Sequence, residues 1–187
     1  MNYYFFAASL PMLSLESAPL LSFEKFLELC EEHLCVTDLR TLDELMEFST
    51  EKSSHRFVRE WRRMETMLRN ALVKIRAARL RRDASTYLKE QEGPSTGSGQ
   101  GFDTYAEKKA SDAFSKDNPM DRELALDRFR WSQIEDIAGY DPFSSYAILA
   151  YALKLRLAER WAAMDEQRGK EKVEEIVNQG VAGNSKD

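Results

Sequence analysis

The chain has 187 residues, and its 27 Lys and Arg against 32 Asp and Glu leave a formal net charge of −5. Hydrophobic residues make up 43% and charged residues 32%, and with 10 Phe, 7 Tyr and 3 Trp this excludes a disordered chain, which lacks the apolar surface to offset its ordering entropy. The 8 Gly and 5 Pro are too few to mark a turn about every 8–12 residues, which excludes an all-β sandwich.

The most apolar stretch comes first, Tyr3-Tyr4-Phe5-Phe6-Ala7-Ala8-Ser9-Leu10 before Pro11. No Lys or Arg precedes Lys25, so the basic flank of a signal peptide is missing. The run is also far short of the roughly 20 residues that a membrane helix needs. It reads as a buried first element of a soluble, cytoplasmic protein.

A helix is expected from Ser22, a natural N-cap with Glu24 in the first turn, where the helix dipole favours an anion. Phe23, Phe26, Leu27, Cys30 and Leu34 then share one face. Thr41-Leu42-Asp43-Glu44 fits a capping box and opens a second, short helix. A third and longest helix is expected over about 54–87. Its Phe57, Trp61, Met64, Leu68, Ala71, Ile75 and Ala78 alternate steps of four and three, the seam of helices packed at a shallow angle. From Lys52 to Arg82 this segment carries eleven basic residues and two acidic ones, Glu60 and Glu65.

Gly93 to Gly101 holds four of the eight glycines and reads as a flexible linker. Beyond it, helices are expected over about 121–138 and 144–167. The second has Tyr146, Ala150, Leu153, Leu157, Trp161 and Met164 as its stripe and Gly169 as its stop. A last amphipathic turn over 170–178 carries Val173, Ile176 and Val177. The reading is an all-α bundle of about six helices in two lobes. The N-terminal lobe covers 1–90, the linker 91–103, the C-terminal lobe 104–179 and a disordered tail 180–187.

Chemistry is hard to find. Cys30 and Cys35 are too few for a disulfide framework, and five positions apart on a helix they diverge by about 140°. The pair suits a reducing compartment. Cys30, His33 and Cys35 suggest zinc, but a structural site takes four ligands and the only other His is His55. The Glu-x-x-His repeats of di-iron bundles are absent, as is the Gly-Lys-Ser/Thr of a phosphate-binding loop. A Cys–His nucleophile would have only His55 to draw on. Glu28, Glu31, Glu32, Asp43 and Glu44 read as a solubilising face rather than as acid–base groups. The expectation is a protein that is not an enzyme, with no catalytic residue, no cofactor, no metal and no small-molecule substrate.

The basic helix admits three readings: a solvated face paired with the Glu-rich stretches 24–32 and 43–47, a surface for an acidic partner, or a nucleic-acid contact. The acidic net charge and the absence of a recognition motif weigh against nucleic acid. Arg59, Arg62, Arg63 and Arg69 are the candidate partner-binding residues, whereas Trp61 belongs to the core stripe.

Three stretches carry a resemblance. Tyr3 to Leu13, followed by Leu21-Ser22-Phe23-Glu24-Lys25-Phe26-Leu27-Glu28-Leu29-Cys30, resembles a bacterial family of unknown function encoded in V-type ATPase operons. Asp141-Pro142-Phe143-Ser144-Ser145-Tyr146-Ala147-Ile148-Leu149-Ala150-Tyr151, with the helix that follows, is similar to the last part of the funnel-shaped stalk subunit of V/A-type ATPases, which couples the central stalk to the membrane rotor ring. There a Pro-Phe turn opens a long helix. That stalk subunit is close to twice as long and built of three helical lobes, of which at most two fit here. The resemblance implies a non-catalytic subunit or accessory factor of a V/A-type ATPase. Its partners would be the central stalk and the membrane rotor ring, placing it at the cytoplasmic face of the inner membrane through the complex. The alternative is a free-standing helical adaptor or regulator.

Overall fold

The computed structural model describes residues 3–47, 53–89 and 98–183, the side chains of 98–103 and 165–183 excepted. Among the described residues there are seven α-helices and no strand: α1 (Tyr4–Ser9), α2 (Phe23–His33), α3 (Val36–Glu47), α4 (Arg56–Leu80), α5 (Ser98–Phe114), α6 (Pro119–Ala138) and α7 (Ser145–Gly183). A 3₁₀ turn spans Ser85–Tyr87. The all-α expectation holds. Residues from Tyr3 to Leu155, on both sides of the glycine-rich segment, share one hydrophobic core.

α2 starts where its sequence says. Ser22 Oγ accepts the Lys25 N–H at 3.2 Å, and Phe26 and Cys30 are fully buried. α3 begins at Val36, a turn and a half before the expected capping box. Thr41 therefore lies inside the helix, buried, and its hydroxyl donates to the Thr37 carbonyl at 3.0 Å instead of capping. Burial of Leu42 and Leu45 rewards a helix already under way.

α4 buries Phe57, Trp61, Met64, Leu68 and Ala71 as the spacing predicts, but it ends at Leu80 rather than near Tyr87. Arg81 adopts a left-handed conformation (φ 53°), and the Arg82 N–H returns to the Ala77 carbonyl at 2.9 Å, closing the helix. The chain then turns back alongside α4. Asp83 accepts the Ser85 N–H at 3.0 Å, and the Asn70 amide clamps the Lys89 backbone from both sides at 2.9 and 3.0 Å.

α5 is a correction. Its first residues, 98–103, fall within the stretch expected to be linker, while residues 91–97 of that stretch lie outside the described residues. Ala106, Ala110 and Ala113, spaced by four and three, are all but fully buried. Small side chains bring α5 close to its neighbours, which outweighs the poor helix propensity of Gly99 and Gly101. Lys74 pairs with Glu107 and Arg79 with the Phe114 carbonyl, so α4 and α5 run parallel. The return of 81–89 makes that direction possible.

α6 opens on Asn118, whose side chain accepts the Met120 N–H at 3.1 Å, with Pro119 in the first turn. It closes on Gly139, whose φ of 75° suits glycine. It runs antiparallel to α4, pairing Arg130 with Glu65, and to α7, pairing Glu135 with Lys154. α7 is buried on more than one face. Ile148, Leu149, Ala152, Leu155 and Ala158 are its most enclosed residues; of the expected stripe Ala150 and Leu153 are buried, while Tyr146, Leu157, Trp161 and Met164 lie at the rim of the contact. Gly169 does not stop the helix, and 170–178 and 180–183 continue it, correcting the separate turn and part of the disordered tail. One glycine costs a helix only about 1 kcal/mol, and its neighbours are good helix formers. Residues 184–187 lie outside the described residues.

Candidate contact surfaces and a buried ion network

The four arginines expected to meet a partner are put to different uses. Arg59, exposed on α4, donates to the Ser53 and Ser54 carbonyls just before the helix. Arg62 reaches α3, donating to the Glu44 carbonyl at 2.7 Å with the Glu44 carboxylate 3.7 Å away. Arg69 pairs with Glu65 one turn back at 2.9 Å. Arg63 is half-buried. Of the two Glu-rich stretches, 43–47 therefore supplies a partner to the basic helix. Glu28 of the other pairs locally with Lys25.

Beneath this face lies a feature that the sequence reading missed. Glu65 sits between Met64 and Met67 on the core side of α4, 5% exposed. It receives Arg130 in a two-pronged contact, Nε to Oε2 at 2.9 Å and a terminal nitrogen to Oε1 at 3.2 Å. Arg130 also donates to Asp127 at 2.8 Å. Asp127 is fully buried and accepts two more donors, Arg160 and the Trp161 indole, the latter at 2.7 Å. Burial works against the Arg130 charge. The hydrogen bonds and charge of Glu65, with those of Asp127, more than reverse that and lift its pKa above the ordinary value. Three helices, α4, α6 and α7, are tied at one point. The signal was present: an acidic residue at a core register of a basic helix, and an Asp and Arg three apart among apolar residues of α6.

The cysteines and histidines stay apart. Cys30 is sealed in the core, where burial pushes its thiol up to about 12. Cys35 lies 3.4 Å from both the Tyr3 hydroxyl and the Asp38 carboxylate, and Tyr3 donates to Asp38 at 2.5 Å. Burial, followed by these hydrogen bonds, raises the Tyr3 pKa. His33 packs on Phe6. No group of three or more potential metal ligands occurs among the described residues.

The first element is buried on one side only, a second correction. Tyr3 and Phe6 face inward, but Tyr4 is half-exposed and Phe5 87% exposed. Tyr4 packs on Phe143 with ring centres 4.4 Å apart and the planes tilted by 46°, and the Tyr3 N–H donates to the Phe143 carbonyl at 2.7 Å. Tyr140 beside them is fully exposed. This end of the bundle is aromatic. The opposite end, where α4 and α5 finish and α6 begins, is basic: Arg76, Arg79 and Arg122 all lie within 5.9 Å of the Phe114 ring centre. No helix among the described residues is long and apolar enough to cross a membrane.

No curated protein and no solved structure gives a significant match. A family model described as "Protein of unknown function (DUF2764)" matches residues 45–184, three quarters of the chain, from the end of α3 through α7. The ion network, the parallel α4–α5 pair and the basic end all lie within that span, and the chain belongs to this family of unknown function.

Proposed function

We propose that this protein is a non-catalytic subunit or accessory factor of a V/A-type ATPase, joining or assembling the central stalk and the membrane rotor ring through protein contacts. One observation carries the reading. The three stretches that resemble ATPase-associated proteins, two near the start of the chain and one beyond residue 140, pack together. The Tyr3 N–H donates to Phe143, the Tyr151 hydroxyl donates to the Pro11 carbonyl at 3.0 Å, and Phe26 packs against Tyr151 at 5.2 Å. The Pro142-Phe143 turn leads directly into the 39-residue α7, the arrangement that the likeness to the funnel-shaped stalk protein implies. In this reading Arg59 and Arg63 on the outer side of α4 meet the partner, whereas Arg62 and Arg69 hold the fold.

Tagged protein purified gently from its own host in mild detergent, with mass spectrometry of what accompanies it, tests the proposal. Stalk and ring proteins recovered near one copy per complex are the expected result. An intact ATPase lacking this chain, with the tagged protein recovered alone, would sink the reading and leave a free-standing helical adaptor.

A further inference from the structure

The basic end of the bundle has an unusual charge distribution. Arg76, Arg79, Arg81, Arg82 and Arg122 gather where α4 and α5 finish and α6 starts, and none of them forms an ion pair with a described carboxylate. Elsewhere arginines are matched, as in Arg56–Glu60 and Arg128–Glu16, or lie dispersed without an ion pair among the described residues, as Arg40 and Arg156 do, so the gathering of several is what sets this end apart. Part of the cluster serves the fold. Arg79 donates to the Phe114 carbonyl and Arg122 to those of Lys116 and Asp117, answering the negative end of the α5 dipole, and Arg76 lies over the Phe114 ring. Those roles leave the side chains of Arg81 and Arg82 without a task among the described residues.

Two further observations point outward. Leu80, amid these arginines, is 66% exposed, and so is Tyr87 on the returning segment, with Leu88 partly exposed beside it. That segment is held in place by the Asn70 clamp on Lys89, so the apolar side chains are displayed on fixed backbone. Arg81 occupies a left-handed position at which glycine would be less strained, and a long cationic side chain is kept there at a cost in stability.

Arginines without an ion-pair partner around the exposed Leu80 make an amphipathic surface of the kind that lies on a bilayer. The cations meet lipid phosphates while the apolar tips enter the acyl boundary. We propose that the α4–α5 end of the molecule is a docking surface for a membrane rich in anionic lipid. A nucleic acid would be drawn by the same charges, but it has no use for an exposed leucine flanked by arginines on a helix end. The chain as a whole carries −5, so attraction to an anionic bilayer depends on a local gathering of cations such as this one. The inference stands apart from the ATPase reading, because it concerns the purified chain alone.

Flotation with vesicles of phosphatidylcholine alone and of phosphatidylcholine with about one third phosphatidylglycerol tests it. The protein should float with the anionic vesicles only, and the bound fraction should fall steeply between low and high salt. In the double variant Arg81→Gly/Arg82→Gln, binding should drop about 30-fold, two surface cations' worth. Its melting temperature should hold or rise, since glycine relieves the strained position, so lost binding cannot be ascribed to misfolding. Leu80→Ser should weaken binding with the charge unchanged. Equal behaviour on the two vesicle types, unaltered binding by the double variant, or a single-stranded oligonucleotide bound in preference to anionic vesicles would each overturn the proposal.

Discussion

Asp127 is fully buried and held by Arg130, Arg160 and Trp161. Removing one partner of a buried pair leaves the other uncompensated, at a cost of about 3–5 kcal/mol. Asp127→Asn should fall at the lower end of that range, because Arg130 keeps Glu65 and the half-exposed Arg160 turns to water. Urea denaturation of the two proteins at neutral pH measures it. A loss below about 1 kcal/mol would mean that the network contributes specificity and little stability.

His55 makes a different prediction. It packs edge-on against Tyr146 at 5.2 Å, and its Nδ1 is buried without a hydrogen-bond partner among the described residues. Burial lowers its pKa below the ordinary 6.5; nearby Asp38 and Glu44 oppose the shift and Arg59 adds to it. The unfolded chain therefore takes up this proton before the folded one does. Stability should rise with pH from the depressed value up to about 6.5 and be undiminished above it. His55→Phe should flatten the difference between melts at pH 5.5 and 7.5; an unchanged slope would assign it to other groups.

Among the elements, α4 and α5 pack closely on each other. Ala106, Ala110 and Ala113 leave no room for a larger side chain against α4. Ala110→Leu should cost about 1–3 kcal/mol through overpacking, whereas the same change at exposed Ser111 should cost under about 0.5 kcal/mol; paired thermal melts decide it. α2 and the first half of α4 were legible in the sequence because a strong apolar period is a local signal. α5 was not, since an alanine stripe scarcely differs from its surroundings in hydropathy and its first turn is glycine-rich. The end of α4 was misread because Arg81 gives no sign that the backbone reverses there. Glu65 and Asp127 leave a local signal as acidic residues among apolar neighbours, but only the approach of α6 and α7 makes them the centre of a network.

At the scale of the molecule, composition was enough to establish an all-helical chain, because it depends on sums rather than on partners. The direction in which helices run is a property of the path between them. The parallel course of α4 and α5 follows from the return of 81–89, which no periodicity encodes. The two ends of the bundle are likewise distinct only in three dimensions. Aromatic residues at 4–5 and 140–143 gather at one, and arginines from two helices gather at the other.

The pairing of the first residues with α7 also bears on how the protein is made. Pro11 accepts from Tyr151, 140 positions later. At about 5–20 residues per second, a ribosome leaves the first helices on the order of 10 s without the partner that covers Phe26. During that interval the inward faces of α1 and α2 are open to holding chaperones. A message truncated before Ser145 would release a product with no means of closing them.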